Sequence, residues 1–309
     1  MKRYRLYGAV VASAHDLPEL EPAPGAEPAW QVEWETARSV EPERWLRQFR
    51  LPDGQVWLSS GRVNGGYLLR FPELADFLVT ATGEIIRCHP VAGTPPETLR
   101  HLLLDQVIPR LLPLRGLVAL HAGAILAPDG AVGFLGETGQ GKSTLAASFA
   151  RAGFALLADD CLALGVGTDG IEAVGAYPGL RLWPDTVSLA GGSVAGGPVA
   201  HYSDKQRLGP DSGLGFCAGP VPLSRLYVLD EGDGEGARIE RLEPQAGFLE
   251  LLKGTYRMGG EEREMLEREF TALTRLVAGG FVRRLRVPQD LASLPRVHDA
   301  VMADLSSGA

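Results

Sequence analysis

The sequence predicts an α/β protein in which a phosphate-loop domain follows a β-rich N-terminal region. Two observations support this prediction. Residues 136–144 fit the phosphate-binding pattern G-x-x-x-x-G-K-[S/T], and they lie between an apolar strand pattern and a helical pattern. The first 95 residues show short strand patterns separated by turn residues, with little helical periodicity. We therefore expect two domains, formed by residues 1–95 and 96–309.

Five strands are predicted in the N-terminal region, separated by turn chemistry such as Pro52-Asp53-Gly54 and Asn64-Gly65. They are residues 4–12, 55–60, 66–71, 76–80 and 84–89. The proline-rich segment 17–28 is expected to form an irregular surface loop. Because no cluster of catalytic residue types occurs in this region, we interpret it as an accessory or substrate-presenting domain.

The phosphate loop has the local context that its function requires. Before it, residues 131–135 form a short apolar run typical of a buried strand, and after it apolar residues recur at helical spacing. Glycines let successive backbone N–H groups point at phosphate oxygens, and the start of the following helix adds a partial positive charge. Lys142 brings a full positive charge to the outer phosphates, and Ser143 supplies a hydroxyl for Mg²⁺. The predicted phosphate-binding residues are Gly136, Glu137, Thr138, Gly139, Gln140, Gly141, Lys142, Ser143 and Thr144.

An aspartate pair forms the second anchor of the predicted site. Residues 154–158 read as a buried strand that ends in Asp159-Asp160. A strand–loop–helix–strand unit closes as a right-handed crossover with parallel strands, which brings the end of this strand beside the phosphate loop. Carboxylates there bind Mg²⁺ or take a proton from an attacking hydroxyl. Since consecutive strand residues point to opposite faces, an ideal strand aims only one of the two at the phosphates. An aspartate pair that merely starts a turn is the alternative.

His121 lies between two short predicted strands, residues 117–120 and 123–126. A lone histidine is more often structural than catalytic, so its position alone does not assign it to the site. The other predicted elements of this region are helices at 97–112, 245–256 and 262–278 and strands at 225–229 and 281–287.

Several basic residues downstream are candidates for substrate or phosphate contacts. Residues 188–213 are rich in glycine and read as a flexible loop that contains Lys205 and Arg207, and Arg181 stands just before it. Ordering of a basic loop on phosphate is a familiar form of active-site closure. The alternative is a solvated basic surface without a specific role.

Composition excludes several classes of protein. A net charge of −8 disfavours nucleic acid as a partner, because such binding needs a basic face. No apolar stretch reaches membrane-spanning length, and the apolar run near the N-terminus is too short for a secretory signal. Three widely spaced cysteines without a C-x-x-C pair indicate neither a disulfide framework nor a zinc site. We expect a cytoplasmic protein, and the sequence leaves a homo-oligomer open.

Taken together, His121, the phosphate loop and Asp159-Asp160 resemble the catalytic core of the HPr kinase/phosphorylase family in both identity and spacing. This resemblance implies phosphorylation of a serine hydroxyl with ATP and Mg²⁺ as cosubstrates. It also implies that one of the two aspartates is the general base, for which we favour Asp159 over Asp160. Asp160 would then assist with metal or substrate, and Ser143 would bind Mg²⁺. Lys142 and the loop amides would hold the β- and γ-phosphates, with His121 near the transferred group.

The chain departs from the HPr enzymes at Thr144, where they typically have glutamate. It is more similar to HPr-kinase-related proteins of bacterial gene clusters for ribosomally made peptides, including those that phosphorylate lasso-peptide precursors. The segments that carry this similarity are 4–8, 177–184, 205–208 and 285–288. The implied acceptor is a serine of such a peptide or of a small protein. The alternatives are an HPr-directed kinase/phosphorylase, a small-molecule hydroxyl kinase, and a nucleotide-dependent regulatory or binding protein without phosphotransfer.

Overall fold

The computed structural model describes residues 1–36, 38–168, 170–187, 197–232, 236–260, 262–288 and 290–307. Within these residues the chain is a mixed α/β protein whose strands form three sheets. No helix in the described part is long and apolar enough to cross a membrane.

Eight strands from the N-terminal region form one sheet. They are β1 Lys2–Leu6, β2 Ala9–Ser13, β3 Trp30–Trp34, β4 Arg44–Arg50, β5 Val56–Val63, β6 Gly66–Phe71, β7 Ala75–Val79 and β8 Ile85–Pro90. Their spatial order is β1-β2-β3-β8-β7-β6-β5-β4. Strand β4 is therefore an edge strand, and its outer backbone groups pair with no described strand.

The strand predictions for this sheet are confirmed in part. Strand β6 has the predicted bounds, and β5, β7 and β8 differ from theirs by a few residues. The single predicted strand at 4–12 is wrong, because Tyr7 and Gly8 have φ values of 48° and 67° and turn the chain between β1 and β2. Strands β3 and β4 were not predicted. Most of β4 is exposed, so it lacks the apolar alternation of a half-buried strand.

A helical segment leads from this sheet to the phosphate loop, as predicted for 97–112. It consists of α1 Pro96–Leu102, a π-helical turn Leu103–Val107, α2 Ile108–Leu111 and a 3₁₀ turn Leu112–Arg115. Pro109 has no N–H to donate to the carbonyl of Asp105, and the π-helical turn lies just before this interruption. Asp105, Gln106 and Arg110 all come from this irregular stretch.

The remaining chain builds a nine-stranded sheet and a small sheet, covered by helices. The elements are β9 Val118–Leu120, β10 Ala122–Ala127, β11 Gly130–Leu135, α3 Lys142–Arg151, β12 Ala155–Ala158, β13 Leu162–Gly167, β14 Gly170–Val174, β15 Leu180–Leu182, β16 Pro198–Ala200, β17 Ser203–Leu208, β18 Pro220–Glu231, β19 Arg238–Arg241, α4 Pro244–Lys253, α5 Arg263–Ala278, β20 Val282–Val287 and α6 Leu294–Ser306. The large sheet has the order β12-β10-β11-β18-β14-β13-β9, with β20 beside β18 and β19 beside β20.

Strands β11 and β12 flank the phosphate loop and α3. Strand β10 lies between them and is antiparallel to both, so β11 and β12 run parallel to each other without pairing directly. Their shared direction places the carboxyl ends of both strands at the same edge of the sheet. This topology explains why the end of β12 lies near the phosphate loop, as predicted.

Two hydrophobic clusters stabilise the molecule. One runs from the N-terminal sheet through the helical segment into the large sheet, and includes Phe77, Leu103 and Leu162. The other lies under α3 and α6 and includes Phe149 and Val297. The predicted boundary at residue 95 falls between β8 and α1, but both sides share the first cluster. The division into two domains stays a prediction.

The prediction of a flexible loop at 188–213 is wrong for its described part. Residues 188–196 lie outside the described residues. Strand β17 pairs with β15 on one side and with β16 on the other, forming the small sheet. Burial of Arg207 and Leu208 in β17 stabilises this strand, and the glycines that predicted a loop lie mostly before it.

Candidate active site

The phosphate loop joins β11 to α3, as predicted. Gly139 and Gly141 have φ values of 93° and 84°, in the region that glycine adopts without strain. Gly141 is the N-cap of α3, so the positive end of the helix dipole faces the loop. The side-chain oxygen Oε1 of Gln140 accepts a hydrogen bond from the backbone N–H of Glu137 at 2.6 Å. This bond closes the loop on itself.

Lys142 lies inside the loop rather than in solvent. Its Nζ donates hydrogen bonds to the carbonyl oxygens of Gly136 and Glu137, at 2.8 and 2.9 Å. Burial lowers the pKa of this ammonium group, and the nearby charges of Asp160 and Asp159 oppose that effect. The neutral carbonyl partners are weaker than an anion would be, so phosphate oxygens can replace them with a gain in hydrogen-bond strength.

Asp159 connects the end of β12 to the start of α3. Its Oδ1 accepts a hydrogen bond from Ser143 Oγ at 2.7 Å, and its Oδ2 accepts from the backbone N–H of Arg181 at 2.8 Å. The Nε of Arg181 donates to the same Oδ2 at 3.2 Å. Asp159 is buried, and both of its carboxylate oxygens have partners.

Asp160 faces the cavity above the loop. Its φ of 69° is uncommon for a residue other than glycine. This left-handed turn breaks the alternation of strand side chains, so Asp160 lies on the cavity wall while the neighbouring Asp159 contacts Ser143. Burial alone would raise the pKa of Asp160, but Arg181 and, to a smaller extent, His121 and Lys205 lower it to about 2. Asp160 is therefore a carboxylate at neutral pH.

The structure places His121 at the same site. Its Nδ1 lies 3.1 Å from the carbonyl oxygen of Asp160, 3.2 Å from the hydroxyl of Tyr256 and 4.0 Å from Asp160 Oδ1. Burial lowers the pKa of His121, which favours the neutral imidazole at neutral pH. The histidine that spacing alone left unassigned thus contacts one of the two predicted aspartates.

A buried ion cluster beneath the site was not predicted from the sequence. Arg181 Nη1 lies 2.8 Å from Asp105 Oδ2 and 3.2 Å from Asp160 Oδ2, as ion-pair contacts that lack hydrogen-bond alignment. Asp105 also accepts hydrogen bonds from Arg207 Nη2 at 3.1 Å and from the hydroxyl of Tyr177, and its Oδ2 lies 2.7 Å from Nδ1 of His101. Burial alone would raise the pKa of Asp105, but Arg181 and Arg207 hold it well below its usual range.

One signal of this cluster was present in the sequence. Asp105 interrupts the apolar helical pattern at 97–112 and follows His101 by one helical turn. A charged residue on a buried helix face usually has a partner, because an unpaired buried charge is costly. The identity of the partners was not predictable, since Arg181 and Arg207 are distant in sequence.

The three basic residues predicted to contact substrate or phosphate lie in different places. Arg181 and Lys205 line the cavity, and Lys205 Nζ lies 5.5 Å from the ring centre of Trp183, which also lines it. Arg207 is buried, donates to the Tyr177 hydroxyl at 2.8 Å, and is not part of the cavity wall. Among the described residues, Arg207 is connected to the site through Asp105, which also pairs with Arg181.

The cavity itself has a volume of about 200 Å³. Its walls are formed by Gln106, His121, Thr138, Gly139, Gly141, Lys142, Ser143, Thr144, Asp160, Arg181, Leu182, Trp183, Thr186 and Lys205. Two larger grooves adjoin it. One, of about 560 Å³, lies between the phosphate loop, the end of β18 and the start of α6. The other, of about 730 Å³, shares Gln106, His121 and Thr138 with the cavity.

The residues present fit a magnesium ion that arrives with a nucleotide. Among the described residues, no group of three or more His, Cys, Asp or Glu is arranged to hold a metal by itself. The hydroxyl of Ser143 and the carboxylate of Asp159 are oxygen donors held 2.7 Å apart. Mg²⁺ in nucleotide sites is typically bound by one or two such protein groups, and phosphates and waters complete its shell.

The loop, the helix start and the aspartate pair thus define a candidate site for a nucleotide. In comparisons with known proteins, no protein-family model matches the chain and no curated protein does. Among solved structures, the Hpr(Ser) kinase/phosphatase from Coxiella burnetii matches with 14% sequence identity and a TM-score of 0.32. The match covers 62% of this chain and 99% of that one. A likeness at this level assigns neither fold family nor activity.

Proposed function

We propose that the protein transfers the γ-phosphoryl group of Mg²⁺-ATP to a serine hydroxyl of a peptide or small protein. The main support is the hydrogen bond of 2.7 Å from Ser143 Oγ to Asp159 Oδ1, with Asp160 beside it in the same cavity. An anion-binding loop, a metal-binding pair and the carboxylate of Asp160 on the cavity wall then lie close together. Phosphoryl transfer requires mainly positioning and charge neutralisation, so these groups are chemically sufficient.

The nucleotide is bound by the phosphate loop in this proposal. Backbone N–H groups of the loop and Lys142 Nζ hold the β- and γ-phosphates. Ser143 and Asp159 hold Mg²⁺, which when bound neutralises charge on the phosphate oxygens. Arg181 and Lys205 line the cavity and stabilise negative charge as the phosphoryl group moves.

The contacts favour Asp160 rather than Asp159 as the group that accepts the proton. Asp159 is held by Ser143 and Arg181 and is absent from the cavity wall, whereas Asp160 is part of that wall. As the serine oxygen bonds to phosphorus and the bond to ADP breaks, the hydroxyl proton passes to Asp160. A pKa of about 2 makes Asp160 a weak base. A loose transition state tolerates this, because the hydroxyl loses its proton late.

The identity of the acceptor is supported by the sequence resemblance alone. A serine of a ribosomally made, lasso-type precursor peptide is the acceptor we propose first, and HPr is the alternative. Mass spectrometry of candidate peptides after incubation with ATP and Mg²⁺ tests this, because each added phosphate raises the mass by a known amount. Serine in a precursor peptide should gain phosphate, while free serine should not.

A nucleotide-dependent regulatory protein that hydrolyses ATP slowly is the competing proposal. The Asp160→Asn variant distinguishes the two, since it keeps the shape of the side chain and removes its basicity. We expect loss of phosphorylated product by roughly a hundredfold or more, with ATP affinity changed little. Unchanged product formation in this variant would contradict the role of Asp160, and failure of every acceptor with the wild type would favour the regulatory protein.

A further inference from the structure

A basic groove adjoins the phosphate cavity on the side of the N-terminal sheet. It is the groove of about 730 Å³ that shares Gln106, His121 and Thr138 with the cavity. Its other walls come from β4 and β5 and the segment between them, and from α4 with the residues that follow it. A molecule in this groove can therefore present a group to the cavity at His121.

The charge of the groove differs from that of the whole protein. Among the described residues, the groove wall has four cationic side chains and no Asp or Glu, although the net charge of the chain is −8. Lys253 and Arg257 have carboxylate partners, Glu250 and Glu269. The other two cations, Arg47 and Arg110, have no carboxylate within ion-pair distance among the described residues.

Arg110 is the more informative of these two cations. It is only 7% exposed, and its guanidinium carbon lies 5.1 Å from the ring centre of Phe49 and 5.2 Å from that of Tyr256. Its Nη1 donates to the carbonyl and side-chain oxygens of Gln106, at 2.6 and 3.2 Å, while the buried Nε has no hydrogen-bond partner. A buried cation without a counter-ion costs free energy, which an anionic ligand would recover. Burial lowers the pKa of Arg110 to about 10, and the nearby charge of Arg47 adds to this effect.

The apolar part of the groove indicates which kind of carboxylate-bearing ligand would fit. Phe49, Leu51 and Trp57 line it beside the two arginines, and Leu51 is 42% exposed. Arg47 and Phe49 belong to β4, the edge strand whose outer backbone groups pair with no described strand. Exposed strand edges and alternating side-chain sites are typical of the recognition of extended peptides. The net negative charge of the protein disfavours nucleic acid as the occupant.

We infer that the basic groove binds the acceptor as an extended peptide segment, with a carboxylate near the acceptor serine paired to Arg110 and Arg47. This inference rests on the proposed function and adds a substrate class to it. The carboxylate belongs to a glutamate or aspartate side chain or to the C-terminus of the peptide. Its pairing with the arginines positions the serine at the edge of the cavity beside His121.

Binding without nucleotide tests the groove separately from phosphotransfer. The probe is a fluorescein-labelled, terminally capped peptide with one serine and neighbouring glutamates, and its twin has glutamine in place of glutamate. A third peptide without glutamate but with a free C-terminus identifies the source of the carboxylate. Fluorescence anisotropy measures the dissociation constants. We expect the wild type to bind at least one carboxylate-bearing peptide roughly tenfold or more tightly than the glutamine twin.

Charge reversal supplies the decisive variants. Arg47→Glu should abolish the preference for glutamate and bind a lysine-containing peptide more tightly than the wild type does. Arg44→Glu is the matched control, because Arg44 is an exposed arginine of the same strand outside the groove wall. Arg110→Gln should also lose the preference, and its thermal unfolding curve shows whether it remains folded.

Different failures separate the two proposals. Equal binding of all peptides, or equal weakening by Arg44→Glu and Arg47→Glu, overturns the groove assignment. A single-stranded oligonucleotide is titrated in the same assay. If it binds the wild type more tightly than the glutamate peptide does and loses this binding in the Arg47→Glu variant, the assignment of a peptide as the ligand is wrong. Selective peptide binding without any phosphorylated product contradicts the proposed function and leaves the groove assignment intact.

Discussion

The hydroxyl of Ser143 donates a hydrogen bond of 2.7 Å to the carboxylate of Asp159, and this contact connects the phosphate loop to the end of the neighbouring strand β12. Ser143 lies in the first turn of α3 and Asp159 directly follows β12, so the contact exists only when the α/β unit is folded. Both are oxygen donors of the kind that Mg²⁺ prefers. The metal dependence of nucleotide binding is therefore the first property to test.

Ser143→Ala should weaken the binding of ATP roughly tenfold or more in the presence of Mg²⁺ and leave binding in EDTA unchanged. The reason is that alanine removes a metal ligand but no phosphate contact. Isothermal titration calorimetry with and without Mg²⁺ measures both affinities. Ser148→Ala is the control, because Ser148 lies in the same helix but bonds to Leu145 and His298, outside the cavity. Equal losses of ATP affinity with Mg²⁺ and with EDTA would show that Ser143 is not a metal ligand.

Lys142→Met should weaken ATP binding at least tenfold whether or not Mg²⁺ is present. Methionine keeps most of the apolar stem and removes the ammonium group that donates to Gly136 and Glu137. The affinity for ATP should fall more than that for AMP, since Lys142 is proposed to contact only the outer phosphates. The same titration with both nucleotides checks this. A similar loss for both would indicate that the substitution disturbs the loop rather than a phosphate contact.

The buried ion cluster predicts a dependence of stability on pH. The pKa of Asp105 is lower in the folded protein than its usual value of about 4 in an unfolded chain, because Arg181 and Arg207 stabilise the carboxylate. The folded state therefore binds this proton less readily than the unfolded state. The stabilisation from Asp105 is fully present above the unfolded pKa and is lost as the pH falls below it. Thermal unfolding between neutral and acidic pH should show this loss.

Asp105→Asn should lower the free energy of unfolding by roughly 3 kcal/mol or more at neutral pH, because two buried guanidinium groups lose their shared counter-ion. It should also make the unfolding temperature less sensitive to pH between acidic and neutral values. Asp211→Asn, at an exposed position, is the control and should change the stability by less than about 0.5 kcal/mol. An Asp105→Asn protein as stable as the wild type would show that Arg181 and Arg207 are adequately paired without it.

The parts of the site that depend on local sequence were predictable. The glycines of the loop, the helical period of α3 and the apolar run of β12 all act within a few residues of chain, and the structure contains each of them. The position of Asp160 was not, because the left-handed φ of this residue overrides strand alternation and no local pattern signals it.

Two other features were missed for separate reasons. Arg207 was interpreted as a loop residue, yet it is a buried residue of strand β17, and its partner Asp105 is far away in sequence. Strand β4 was not predicted because it is an edge strand that is mostly exposed, and its sequence therefore lacks the apolar alternation of a half-buried strand. The contact of Arg207 with Asp105 is long-range and lies beyond what local sequence patterns describe, whereas β4 pairs with the adjacent β5 and lacks only the apolar alternation.

Lys205 faces the cavity from β17 and is half-buried beside Trp183. Lys205→Met should lower kcat roughly tenfold or more while the protein keeps its unfolding temperature, because the ammonium group acts on developing phosphoryl charge and not on folding. Lys205→Arg should retain most of the rate. Steady-state kinetics with ATP and an unphosphorylated acceptor peptide, together with ATP affinity, separates a loss of kcat from a loss of binding. A Lys205→Met protein with the wild-type rate would mean that the charge at this position is only part of a solvated surface.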